Sequence, residues 1–380
     1  MGRTSRERVL LAFEKAELDA LISALWDLGY TVIGPTVRDG AVVYDEVEGA
    51  QALPIGVVDD QEAGAYRLGQ WDRETYFAYT VGPHTWKRYL FPPEERLWRA
   101  RRDEGSAWQV VSEDQGPVRY AFLGVRGCEL AAIGVQDRVF LHGPFSDSRY
   151  RARREAAFIV AVNCTRPGRT CFCASLGTGP RARGPYDVAL TELDDLFLVD
   201  VATEAGARVM ASLSSRPATR AEIEEAERRL EEAGRHVGRA LEVSDLHDVL
   251  AGQPEHPRWE EIAERCLACA NCTLVCPTCF CFTVEDVTDL AGREAARVRR
   301  WDSCFVLEFT YTAGRPIRRS IMSRYRQWLT HKLAWWVDQF GVLGCVGCGR
   351  CITWCPVGID LTAEVSALRA SPGAREANDG

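Results

Sequence analysis

Two cysteine runs constrain this chain more than any other feature. In "CLACANCTLVCP", Cys266, Cys269, Cys272 and Cys276 are followed by Pro277; in "CVGCGRCITWCP", Cys345, Cys348, Cys351 and Cys355 are followed by Pro356. Three thiols at x2 spacing let a short loop wrap the corners of one 4Fe-4S cubane while backbone N–H groups point at its sulfides. The fourth thiol stands one helical turn beyond the third, about 6 Å along an axis leading away from that cubane. It is better placed for a neighbouring cluster, and in two-cluster runs of this spacing the fourth cysteine does ligate the other cubane. The pattern therefore predicts cluster A on Cys266, Cys269, Cys272 and Cys355, and cluster B on Cys345, Cys348, Cys351 and Cys276. Zinc is the main rival, but structural zinc pairs C-x2-4-C with a distant second pair, and x2-x2-x3 runs do not suit that tetrahedron.

Seven cysteines remain of the fifteen. Cys128 in "GVRGCEL", Cys164 in "VNC", and Cys171 with Cys173 in "CFCAS" lie beside strand ends where loops gather, and four thiols are the ligand count of a third cubane. The alternatives are buried small hydrophobes, common for free Cys, and zinc. Cys279, Cys281 and Cys304 make only three thiols, which suits packing around the clusters better than a further metal site. An odd number of cysteines at short spacings, in a chain whose first 25 residues are broken by Arg, Glu and Lys before any leader-like apolar stretch, argues for metal sites and a cytoplasmic protein. No uncharged run approaches the roughly 20 residues of a membrane span. The formal charge of −8 gives no reason to expect nucleic acid as a partner.

The 380 residues suffice for two or three domains, and the expected class is α+β. Residues 1–205 read as a mixed α/β domain. The helical "LDALISALWDLG" precedes strand-like "YTVIG" and "AVVYDEV" around the turn "TVRDG", and further strand-like runs are "VRYAFLGV", "AAFIVAV", "YDVALTEL" and "LFLVDVA". Residues 206–257 read as a helical connector opened by a capping box, Thr219 with Glu222. Residues 258–368 read as a helical, ferredoxin-like dicluster domain, and 369–380 as a disordered tail. The segment between the two runs is read as a helical elaboration. From Arg293 to Lys332 it carries ten Lys or Arg against three acids, either a solvated face or a positive field that favours reduced clusters or an acidic partner. There is no G-x-G-x-x-G after a strand, no phosphate-binding P-loop, no H-E-x-x-H and no spaced group among the six histidines. With no flavin, nicotinamide or substrate site in the pattern, the chain reads as a relay, without catalytic residues of its own.

Taken together, "HPRWEEIAERCLACANCTLVCPTCFCF", "RRWDSCF", "HKL" and "FGVLGCVGCGRCITWCPVGID" resemble the beta subunit of cytosolic NAD(P)-linked nickel-iron hydrogenases, the sulfhydrogenases, and the related electron-transfer subunit of anaerobic sulfite reductase. The likeness is strong over the C-terminal 120 residues and extends more loosely through "GVRGCEL", "DSRYRARREAAFIVAVNC" and "CFCASLGTGP". It implies an electron-transfer subunit between a flavin subunit that handles NAD(P)H and a catalytic pair, the small and large nickel-iron subunits of a soluble bidirectional hydrogenase. It also strengthens the third-cluster reading of Cys128, Cys164, Cys171 and Cys173. The same relay could serve a sulfite or polysulfide reductase or a formate dehydrogenase-type complex. From a different class, the chain could be a cluster-stabilised scaffold without redox duty.

Overall fold

A computed structural model describes residues 10–102, 107–111, 116 and 118–370. Its centre is an eight-stranded mixed sheet in the spatial order Arg216–Pro217, Leu11–Glu14, Leu196–Val201, Val188–Glu192, Phe158–Val162, Tyr120–Arg126, Thr31–Arg38 and Ala41–Glu46. The four neighbours from Val188–Glu192 to Thr31–Arg38 run parallel, and antiparallel partners complete both edges. "FIVAV" is buried along its whole length, as a parallel strand covered on both faces requires. One face packs on the helix Leu18–Asp27 through Leu18, Leu21, Ile22 and Leu25. The other face carries the helices Gly127–Phe140 and Ser148–Ala156. The run "TVRDG" is only partly a turn, because strand continues through Arg38 and the reversal is confined to Asp39 and Gly40, both at positive φ.

The capping box forms as expected. Glu222 N donates to Thr219 Oγ1 at 3.3 Å and Thr219 N to Glu222 Oε2 at 2.8 Å, opening the helix Arg220–Arg235. That helix lays Ala226 against Leu193 and Leu198 and so covers part of the large sheet. Farther on, Leu361–Ala370 is helical, so the helix passes two residues beyond the expected start of the tail, and 371–380 lie outside the described residues.

The segment between the cysteine runs departs from a purely helical elaboration. Phe282–Thr288 and Glu294–Trp301 form an antiparallel hairpin, and the second strand pairs with Glu94–Arg101, which in turn pairs with Gln109–Val111. The physical reason is the alternating pattern of "FTVEDVT", which suits a pleated strand, with Asp289 Oδ1 closing the turn by accepting from the N–H groups of Arg293 (2.7 Å) and Glu294 (2.8 Å). Only Ile321–Phe340 is helical, with a π-helical turn at His331–Trp335. Much of the basic excess meets acids from elsewhere: Arg297 pairs with Asp286, Arg299 with Glu95 and Asp147, Arg300 with Glu94 and Glu285, and Arg326 with Glu255. These pairs reduce the one-sided field that the residue count suggests.

The sheet-rich and cysteine-run regions are joined by buried polar contacts. Thr170 and Thr353 share a hydrogen bond of 2.7 Å and both donate to Gln61 Oε1, and Gly64 N donates to Ile352 O at 3.1 Å. Arg350, buried between Cys348 and Cys351, pairs with Glu129 and donates to the carbonyls of Gly82 (2.8 Å) and His84 (2.9 Å). Glu129 Oε2 also accepts from the Tyr44 hydroxyl at 2.7 Å and the Trp86 indole at 3.1 Å. Among the described residues, no helix is long and apolar enough to cross a membrane.

Candidate metal centres

The two runs fold alike. After the helix Arg258–Arg265, Ala268 and Ala270 take φ of 50° and 65°, and the equivalent Gly347 and Gly349 take 64° and 76°. These left-handed residues curl each loop so that backbone N–H groups turn inward: Ala268 N reaches Cys266 Sγ at 3.4 Å and Gly347 N reaches Cys345 Sγ at 3.5 Å. A short helix then starts in each run, Asn271–Leu274 and Arg350–Thr353, and carries the chain to its fourth cysteine. The alanines hold this conformation against a steric cost of about 1–2 kcal/mol each, which glycine avoids in the second run.

The fourth cysteines cross over. Cys355 lines one cavity with Cys266, Cys269 and Cys272, beside Tyr325 and Trp328. Cys276 lines a second with Cys345, Cys348 and Cys351, beside Phe172 and Lys332. Cys351 borders both, so the two cavities adjoin. The first opens to the surface, where Cys269 is exposed and Leu267 is 62% exposed. The second is deeper, with Cys276 and Cys348 buried. Burial pushes the Cys345 thiol up to about 12, and Cys272 and Cys351 are raised by burial and by their neighbouring sulfurs. Such thiols stay neutral in water and become thiolates by exchanging protons for metal. Each set thus offers four sulfurs around one cavity together with backbone N–H donors to sulfur, the donor chemistry a 4Fe-4S cluster needs. Among the described residues no three His, Cys, Asp or Glu side chains are grouped to hold a single metal ion.

The other predicted set also gathers. Cys128 opens the helix Gly127–Phe140, Cys164 follows the strand Phe158–Val162, and Cys171 and Cys173 lie in a loop against the second run. Cys171 Sγ is 3.7 Å from Cys348 O, Phe172 N donates to Gly347 O at 2.8 Å, and Cys128 and Cys173 share a packed cluster with Cys348. Burial raises all four thiols, and Cys173 reaches about 12. Arg126, buried close to Cys164, leaves Nε and Nη1 without a hydrogen-bond partner.

Residue reasoning from the cysteine pattern missed two buried ammonium groups. Lys332 Nζ reaches Cys276 Sγ at 3.2 Å, Thr278 Oγ1 at 3.1 Å, Gly344 O at 3.1 Å and Cys279 Sγ at 3.6 Å. Lys87 Nζ donates to Cys279 O at 3.0 Å and lies 3.8 Å from the centre of the Trp301 ring. A lysine inside the apolar run "WLTHKLAWW" was the available signal for the first. Cys279 sits against Cys276, and Cys281 against Cys304, so these three thiols line up beside the second cavity.

Comparison with known proteins decides the family. Residues 265–359 match the model of a 4Fe-4S dicluster domain. The subunit beta of sulfhydrogenase 2 from Pyrococcus furiosus is 33% identical over 289 residues, 74% of this chain and 82% of that protein. The chain belongs to the sulfhydrogenase beta-subunit family. The match is far longer than the C-terminal 120 residues, so the kinship takes in much of the sheet-rich region as well. No solved structure matches. The protein is an iron-sulfur, electron-transfer subunit carrying 4Fe-4S clusters.

Proposed function

We propose that the chain relays electrons between a flavin subunit that handles NAD(P)H and the nickel-iron subunits of a soluble bidirectional hydrogenase. Cys266, Cys269, Cys272 and Cys355 hold cluster A; Cys345, Cys348, Cys351 and Cys276 hold cluster B; Cys128, Cys164, Cys171 and Cys173 hold a third. A 4Fe-4S cluster supplies one-electron storage at a potential set by thiolate hydrogen bonds, charge and burial. The observation that carries this reading is the adjacency of the three thiol sets: Cys351 borders both dicluster cavities, and Cys171 Sγ lies 3.7 Å from Cys348 O. A continuous series of sites suits transfer through the chain better than a scaffold would. The orphaned guanidinium atoms of Arg126 beside Cys164 support an anionic group there. The name of the relative, a sulfhydrogenase, favours hydrogenase over the other relay complexes.

The test is anaerobic purification of the native complex followed by reduction of its clusters with hydrogen and, separately, with NAD(P)H. The proposal expects both to reduce the same clusters and a nickel-iron subunit pair to co-purify. Co-purification of a siroheme subunit, with clusters that hydrogen does not reduce, would overturn it.

A further inference from the structure

The two dicluster cavities differ in charge at the sulfurs. In the surface-facing one, backbone N–H groups approach the thiols, Ala268 N on Cys266 Sγ at 3.4 Å and Ile359 N on Cys355 Sγ at 3.3 Å. In the deeper one, Arg350 lies close to Cys348, but its charge is offset by the buried Glu129 carboxylate. Lys332 has no such offset. Its ammonium, buried on the π-helical turn, reaches two sulfurs, a hydroxyl and a carbonyl. An ammonium taken out of water needs a negative partner, and the sulfurs around Cys276 are the groups it reaches that can supply one.

We propose that Lys332 sets the reduction potential of the cluster on Cys276, Cys345, Cys348 and Cys351 above that of the cluster on Cys266, Cys269, Cys272 and Cys355. The inference rests on the cluster assignment proposed above. Uptake of one electron adds one negative charge to the thiolate set, and a cation 3.2 Å from Cys276 Sγ stabilises the more negative form. Lys332 is a positioning and tuning residue rather than a catalytic one. Its place is built in: Gly344 N donates to Lys332 O at 2.8 Å, and the Gly344 carbonyl and Thr278 hydroxyl hold the ammonium. A Cβ at Gly344 would stand 2.7 Å from the Trp336 ring, so only glycine allows this approach. Lys87 is the comparison: its ammonium meets the carbonyl of Cys279 and the Trp301 ring rather than a sulfur. With the deeper site the better electron holder, the surface-facing site is the stronger donor.

The test is an EPR-monitored potentiometric titration of the iron-loaded chain, in which the signal abolished by Cys276→Ala identifies cluster B. In Lys332→Gln the cluster B midpoint should fall by about 59 mV or more, a tenfold change in the one-electron equilibrium constant, while cluster A stays put. Lys332→Arg, which keeps the charge, should retain most of the separation. Should Lys332→Gln fail to load cluster B, Thr278→Val decides, since it removes one group that aims the ammonium and should lower the same midpoint by a smaller amount. Unchanged cluster B midpoints, or equal shifts of both clusters, in variants with full iron content would overturn the inference. Absence of two separable reducible signals from the wild-type chain would instead sink the cluster assignment.

Discussion

Cys355 ends one cysteine run and lines the cavity of the other. At residue scale this is the most discriminating feature of the proposed centres, because ligation of each run by itself would make Cys355 a ligand of the deeper site. Cys355→Ala should abolish or reshape the paramagnetic signal of the cluster on Cys266, Cys269 and Cys272 and leave the other signal intact. An undisturbed cluster A, read by EPR on the reduced variant, would contradict crossover ligation. The eight cysteines were legible because their spacing is a local property of the chain. Lys332 was not, because its partner Cys276 lies 56 residues away and a single lysine carries no spacing signal. Glu129 was equally hidden: nothing near it in sequence announces that its carboxylate meets Arg350, 221 residues on.

At the scale of elements, the site depends on two loops in close contact. Gly347, at φ 64°, has no room for a side chain, since a Cβ there would lie 2.6 Å from Cys173 N. Gly347→Ala combines a left-handed backbone penalty of about 1–3 kcal/mol with a clash against backbone. It should lower the thermal midpoint and weaken iron loading at Cys128, Cys164, Cys171 and Cys173 as well as at the second run, measured by calorimetry and iron content. Retention of wild-type stability and iron would mean that the two loops are not coupled in this way. Most strands of the large sheet were legible from short β-rich apolar runs, and the helix Arg220–Arg235 from its capping box. The hairpin Phe282–Trp301 was not, because its arginines suggest a helix face when counted alone, whereas on a strand they pair across to Glu94, Glu95 and Asp286. That pairing is long-range, and composition does not encode it.

At the scale of the whole molecule, three sets of thiols sit side by side on a scaffold of sheet and helix, and the outermost cavity opens to the surface at Cys269. The kinship to a sulfhydrogenase beta subunit and the dicluster match make the protein an iron-sulfur electron-transfer subunit, and the arrangement of thiols is what a relay requires. The decisive measurement is anaerobic analysis of iron, acid-labile sulfide and zinc in the purified chain, with reversible reduction followed on the same sample. Three cubanes should give about 12 irons and as many sulfides per chain, all clusters reducible and reoxidisable. A count near 8 irons, the content of two cubanes, would remove the third cluster, and zinc without iron and sulfide would contradict the relay altogether.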